Sequence, residues 1–338
     1  MTLTRIDGIQ VGHATRRDAA TGCTVILCRD GAVAGCDVGG GATGSRELDA
    51  CAPGHLVDRI HALVLSGGSA YGLDAAGGVM RVLERRGVGF DTPAARVPIV
   101  PSAILYDLGI GSAAVRPDAA MGARACRAAT GRPVRSGCVG AGTGATVGKI
   151  FGMKAAVKSG LGNASLRLPA SAGGAAVAVL AAVNAFGDVL DHSTGAIVAG
   201  ARDLTGQRLF ADTAELMRGG LSRRGARAVP STNTTLVVVA TDARLSRVEA
   251  CRVARLCQDG LARSVSPAHT RFDGDIVFTL SLGRRRADPD CLAVAACHAI
   301  GEAVLDAVRS ATTLGGVPAL RDLPAAGPPR ARRSHPRK

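Results

Sequence analysis

Apolar residues along this chain come in short uninterrupted runs separated by glycine-rich turns, followed by two long stretches of helical period towards the C-terminus. Short apolar runs bounded by turns predict buried strands, and longer runs with a 3.6 period predict helices. Residues 21–38, TGCTVILCRDGAVAGCDV, hold two β-rich runs around Arg29-Asp30-Gly31. Asp-Gly suits turns that need positive φ, so the segment predicts an antiparallel hairpin. Residues 61–87, HALVLSGGSAYGLDAAGGVMRVLERRG, predict a buried strand, a glycine turn and a helix. Further strands are expected near 97–105, 151–157, 175–183 and 236–240, then a helix over about 244–263, a strand over 275–282 and a last helix over about 288–311. The uncharged stretch 168–187 contains Pro169, Gly173, Gly174 and Asn184 among small residues alternating with Val, which fits a buried strand better than a membrane span.

Antiparallel pairs interrupted by helices, with strands apolar enough to be covered on both faces, imply two stacked sheets flanked by helices. The expected fold class is therefore α/β, a four-layer αββα sandwich. One internal stretch, residues 217–233 (MRGGLSRRGARAVPSTN), has linker composition and ends abruptly at a strongly apolar strand.

Composition refines the picture. In 338 residues nearly half are apolar, yet there are 45 Gly, no Trp, two Tyr and six Phe, so the core must be built from Ala, Val, Leu and Ile packed closely. The expected layout is a single domain over 1–323 and a basic disordered tail over 324–338. The net charge of +14 overstates any affinity for anions, because the tail PAAGPPRARRSHPRK carries five basic residues and no acid. The remaining arginines are mixed with Asp and Glu and lack interleaved aromatics, which argues against nucleic acid as a partner. Ten Cys without a C-x-x-C pair, and His residues without an H-x-x-x-H pair, signal neither a metal nor a redox centre, and no cofactor is expected. A charged start without an apolar segment leads to a cytoplasmic expectation, with reduced thiols.

The chemistry concentrates at Asn233-Thr234. Thr234 lies between the linker-like segment and the run LVVVA, so its hydroxyl would be held on a rigid strand while the preceding chain remains free to leave. Attack on the Asn233 carbonyl would move the acyl group from nitrogen to oxygen, and water would then hydrolyse the ester. The liberated α-amino group, with an ordinary pKa of about 7.7–8.0, could serve as base for the same hydroxyl. By itself Asn-Thr before a strand reads more readily as a common strand start.

Six motifs in order carry more weight: SGGSAYGLDAAGGV (66–79), VPIVPSAILYDLG (97–109), GAGTGATVGK (140–149), VNAFGDVLD (183–191), STNTTLVVVATDA (231–243) and TRFDGDIVFTLSLG (270–283). Together they closely resemble the DmpA-type aminopeptidase and nylon-oligomer hydrolase family, over roughly residues 4–312. The resemblance implies autocleavage into a large chain, 1–233, and a small chain, 234–338, which hydrolyse amide bonds of peptides or peptide-like substrates as a homo-oligomer. It implies Thr234 as nucleophile, Asp273 and Asp275 as an acidic pair near it, Lys154 as a pocket lysine, and Asn184 and Tyr106 at an oxyanion hole. On their own residues these positions keep plainer readings: a solvated Asp-Gly turn, a chance cluster of Lys149, Lys154 and Lys158, a satisfied core amide, and packing tyrosines at Tyr71 and Tyr106.

Other patterns compete. Gly39-x-Gly41-x-x-Gly44 imitates a dinucleotide fingerprint, but the strands before it read as a hairpin. GTGATVGK imitates a phosphate loop and fails on spacing. Ser69 in SGGSAY imitates a nucleophile elbow, with Tyr71 where a glycine belongs. Asp191-His192-Ser193 invites a triad that adjacency in sequence does not ensure. An acyltransferase similar to the ornithine acetyltransferases, a serine hydrolase using Ser69, and a non-catalytic scaffold are the alternatives to a Thr234 amidohydrolase.

Overall fold

The computed structural model describes residues 2–221 and 233–324. Its main strands are β1 (Ile9–Arg16), β2 (Thr21–Val38), β3 (Ile60–Ser66), β4 (Ser102–Ile104), β5 (Leu161–Arg167), β6 (Ala176–Asn184), β7 (Thr234–Ala243) and β8 (Ile276–Arg285). The helices are α1 (Ala75–Arg85), α2 (Ala119–Arg127), α3 (Thr213–Arg218), α4 (Arg247–Ser264) and α5 (Pro289–Arg309). Hydrogen bonding runs β5-β6-β7-β8-β2-β3-β4, ending on the two-residue strand Ser45–Arg46, with β1 also on β2. Most neighbours are antiparallel; β7–β8 and β3–β4 are parallel.

The path folds into two stacked sheets because β2 serves both. Residues 21–28 pair with β1 and β3, and residues 33–38 pair with β8. Alternation of side chains along each strand then builds three cores. Ile26, Leu63 and Leu65 meet Leu180, Leu236, Val238 and Phe278 between the sheets. Val25, Leu27 and Val64 face α1 and α2, whereas Val177, Val179, Val237, Val239 and Val277 face α4 and α5. This is the αββα sandwich expected from the pattern. Its two inner strands β6 and β7 are buried on both faces, which is why they read as continuous apolar runs.

The outer helices start where the local chemistry directs. Ser246 and Glu249 form a capping box on α4, and the Asp288 carboxylate accepts the N–H groups of Asp290 and Cys291 ahead of α5, with Pro289 in the first turn. Among the described residues α5 alone is long and apolar enough to cross a membrane. Its buried stripe Leu292, Ala296, Ile300 and Val304 packs in the core beneath it, so it is a core helix.

Two expectations are corrected. Residues 21–38 form one strand, not a hairpin: the chain does not reverse at Arg29-Asp30-Gly31, where Gly31 (φ +73°) marks the shift of register at which β2 passes from one sheet to the other. The reversal lies one turn earlier, at 17–20, between β1 and β2. Residues 151–157 form a turn around Gly152 (φ +77°), and only Val157–Lys158 is strand. The pattern also missed β5, whose Asn163 and Ser165 dilute its apolar character. The linker-like segment lies largely, at 222–232, outside the described residues, as does the basic tail from 325 onwards.

Candidate active site

Thr234 is the first residue of β7, paired with Asn184 at the end of β6. Both are buried. The preceding residue, Asn233, forms a parallel bridge to Asp273 just ahead of β8, and its N–H donates to the Phe272 carbonyl at 2.7 Å. The Asn233 carbonyl oxygen therefore points at the chain entering β8 and accepts two hydrogen bonds: from Gly274 N at 2.6 Å and from the Thr234 hydroxyl at 2.6 Å. The hydroxyl thus lies against the peptide carbonyl beside it, and a backbone N–H polarises that carbonyl. Gly274 has to be glycine for this approach, because a Cβ there would stand 2.8 Å from Thr234 Oγ1 and 2.6 Å from the Ala42 carbonyl oxygen.

The two carboxylates flank this peptide. Asp273 accepts Phe186 N–H at 3.1 Å on one oxygen, and Thr270 N–H at 3.1 Å and Thr270 Oγ1 at 2.5 Å on the other. Asp275 accepts Thr235 N–H at 2.7 Å, and on its second oxygen His269 N–H at 3.1 Å and His269 Nδ1 at 3.0 Å. Both acids are buried, so the reading as a solvated turn does not describe them. Burial, and then repulsion from Asp275, push the Asp273 carboxyl up to about 6. His269, hydrogen-bonded to Asp275, is raised above the usual imidazole value despite its partial burial.

Asn184 is a buried amide bonded through both its oxygen and its nitrogen. Its Nδ2 donates to the Tyr106 backbone carbonyl at 3.0 Å, while Oδ1 accepts Thr146 N–H at 3.1 Å and the Lys149 ammonium at 2.6 Å. Lys149 Nζ also reaches the Asn184 carbonyl at 3.0 Å. The structure does not bring the Lys154 side chain to this place: it is exposed, and the buried lysine here is Lys149. The turn at Gly148 (φ +71°) aims it inward, with the Gly148 and Lys149 N–H groups bonded to the carbonyls of Gly187 and Phe186 at 3.0 and 2.9 Å. Lys158 is buried elsewhere, its ammonium held by the carbonyls of Ala145 and Ser159 at 2.7 and 2.6 Å, and burial pulls it down to about 8. Tyr106 is half-buried and meets Asn184 through its backbone; Tyr71 is exposed, with the Arg116 guanidinium 3.9 Å from its ring centroid.

The structure thus brings Thr234, Asn233, Asn184, Asp273, Asp275 and the Tyr106 backbone into one cluster and adds Lys149, His269 and Gly274, which sequence reasoning passed over. The Asp191-His192-Ser193 string comes apart: Ser193 turns back on Asp191, and His192 Nε2 meets Glu302 on α5 at 2.9 Å. Ser69 has a left-handed φ of +56° in a 3-10 turn, where its N–H bonds the Leu105 carbonyl.

An αββα sandwich with a hydroxyl seated on a polarised peptide carbonyl at the head of a central strand is the frame of a hydrolase acting on amide bonds. The chain belongs to peptidase family S58, whose family model matches residues 2–320. An uncharacterized aminopeptidase of Mycobacterium tuberculosis is 41% identical over 351 residues, covering 95% of this chain and 97% of that protein. A 6-aminohexanoate-oligomer endohydrolase of Kocuria sp. is 31% identical over 318 residues, covering 89% and 84%. Among solved structures, an L-aminopeptidase D-Ala-esterase/amidase from Ochrobactrum anthropi superimposes with a TM-score of 0.70 at 21% identity, over 94% of this chain and 88% of that one. A Burkholderia sp. β-aminopeptidase gives 0.67 at 23%, over 94% and 90%. These two share the fold.

Proposed function

We propose that this enzyme cuts its own chain between Asn233 and Thr234 and then uses Thr234 to hydrolyse amide bonds of peptides or peptide-like substrates. The observation that carries the reading is the pair of 2.6 Å contacts from Thr234 Oγ1 and Gly274 N to the Asn233 carbonyl oxygen. Thr234 Oγ bonds to that carbonyl carbon as the peptide C–N bond breaks, and the proton that the hydroxyl gives up ends on the departing nitrogen. The charge that develops on the oxygen falls on the Gly274 N–H already aimed at it. Water then hydrolyses the ester, which frees the Asn233 carboxylate and restores the hydroxyl beside a new α-amino group.

In turnover that amine takes the hydroxyl proton as Thr234 attacks a substrate carbonyl, and returns it to the leaving amine. Asp275, bonded to the next N–H of the strand, and Asp273 supply the negative charge that holds the new terminus. Lys149 and Asn184, across the β6–β7 pairing, supply the positive and polar face on which a substrate oxyanion can develop. Departure of residue 233 also vacates the Gly274 N–H for the same use. Lys154, exposed in the uncleaved chain, has no part in this scheme.

Intact mass under denaturing conditions tests the proposal. Wild-type protein is expected as two chains meeting at 233/234, active on aminoacyl amides, and Thr234→Ala as one chain without activity. A processed or active Thr234→Ala variant removes the assignment.

A further inference from the structure

His269 is a residue that neither the motifs nor the scheme above uses, yet its geometry is closely constrained. It adopts a left-handed backbone, φ +57°, which few residues other than Gly enter and which Asn, Asp and His enter most readily. This conformation turns both its N–H and its ring Nδ1 onto one oxygen of Asp275, at 3.1 and 3.0 Å. The other Asp275 oxygen holds the Thr235 N–H at 2.7 Å, one residue beyond the nucleophile. Gly39 leaves room for the ring, because a Cβ there would lie 2.7 Å from His269 Nδ1. On the far side Nε2 is buried beneath α4, facing the Gln258 backbone carbonyl.

We propose that His269 is a positioning residue: its Nδ1–H fixes the rotamer and charge of Asp275, and through Asp275 the height of Thr234 against the Asn233 carbonyl and later the seat of the new α-amine. The proposal rests on the reading of Thr234 as self-cleaving nucleophile and deepens it. The groups that face the imidazole are Asp275 and, less directly, Asp273 on its own loop, the Gln258 carbonyl on α4, and Gly39 at the end of β2. An imidazole between two buried acids and a helix carbonyl favours its protonated form, in keeping with its raised pKa. The cation lowers the cost of holding two carboxylates together in a buried place.

The test uses two substitutions that both tolerate the left-handed backbone. His269→Gly removes the donor; His269→Asn restores a neutral N–H near the position of Nδ1. The full chain of each is followed by intact mass after synthesis and by steady-state amide hydrolysis from pH 5 to 9. His269→Gly is expected to slow both processing and kcat by roughly ten- to a hundred-fold, the worth of a hydrogen bond to a charged group, with KM changed little. His269→Asn is expected to recover rates above pH 7 to within about threefold of wild type, with the acid limb of its profile moved to higher pH because the carboxylate pair has lost its cation. Wild-type rates and profile in His269→Gly overturn the proposal. If that variant does not fold, His269→Asn decides alone, since a profile superimposing on wild type overturns the role in charge, and rates slowed roughly tenfold or more above pH 7 overturn the role of the donor. Failure of the underlying reading is distinguishable, because wild-type protein would then itself remain one chain.

Discussion

At the scale of single residues, the peptide before Thr234 depends on an atom that is missing. Gly274 allows its N–H to come within 2.6 Å of the Asn233 oxygen, and any side chain there would press on the Thr234 hydroxyl and on Ala42. Gly274→Ala is therefore expected to fold, since Gly274 lies ahead of β8 rather than within it, but to remain a single chain by intact mass for at least about a hundred times longer than wild type, the cost of losing one oxyanion donor. A normally processed Gly274→Ala would show that the contact is incidental. Thr234 and the pair Asp273/Asp275 stood out in the chain only through the resemblance of the motifs around them, since by their own spelling an Asn-Thr strand start and a D-G-D turn keep plainer readings. Lys149 was not legible against Lys154. Three lysines within ten residues look alike until the turn at Gly148 decides which one reaches Asn184, and the turn depends on contacts with residues 186, 187, 200 and 201. His269 was hidden for a similar reason, its partner Asp275 being reached only through an unusual φ.

At the scale of elements, periodicity revealed the strands buried on both faces and the two long helices, since their environment is uniform along their length. It failed at β2, where one strand changes partners midway: Asp-Gly marks a local backbone conformation, and a register shift between sheets needs the same conformation as a turn. It failed at β5 because that strand is covered by α5 with small and polar residues. The packing of α4 on α5 is close for a related reason. Gly260 of α4 lies so near α5 that a Cβ would fall 2.7 Å from Cys297 Cα. Alanine in a helix interior is worth up to about 1 kcal/mol over glycine, whereas forcing packed elements apart costs about 1–3 kcal/mol. Gly260→Ala is thus expected to melt a few degrees below wild type in a thermal scan, with processing intact; an equal or higher melting temperature would mean the helices give way freely.

At the scale of the molecule, the interior holds several ionisable groups on which folding depends through pH. Asp107, Asp188 and Asp273 are each pushed up to about 6 by burial, and Lys158 is pulled down to about 8. A carboxyl whose folded value lies above its unfolded one costs nothing when protonated in both states, costs progressively more as pH rises through the interval, and reaches its full penalty above about 6, of order 3 kcal/mol per group. Lys158 behaves conversely: its penalty is complete below about 8 and relieved as pH rises towards 10.5. Asp107 accepts Gly68 N–H and Thr21 Oγ1, both at 2.7 Å, bonds that an amide oxygen can retain in part. The stability of Asp107→Asn relative to wild type, from melting curves, is expected to rise between pH 4 and 6 and to level off beyond. A difference independent of pH would place the titration elsewhere.

The position of β7 has one more consequence. The strand lies between β6, which belongs to the segment before residue 233, and β8, which belongs to the segment after it. A cut at its head would therefore leave two polypeptides interleaved within one sheet, with β7, α4, β8 and α5 from one and β1 to β6 with α1 to α3 from the other. Folding before the cut is an event within one molecule; after it, any complete unfolding releases two bodies that must find each other again at cellular dilution. The mature enzyme would owe its persistence to the height of its unfolding barrier more than to equilibrium, because its chain would have given up the connection through which it first assembled.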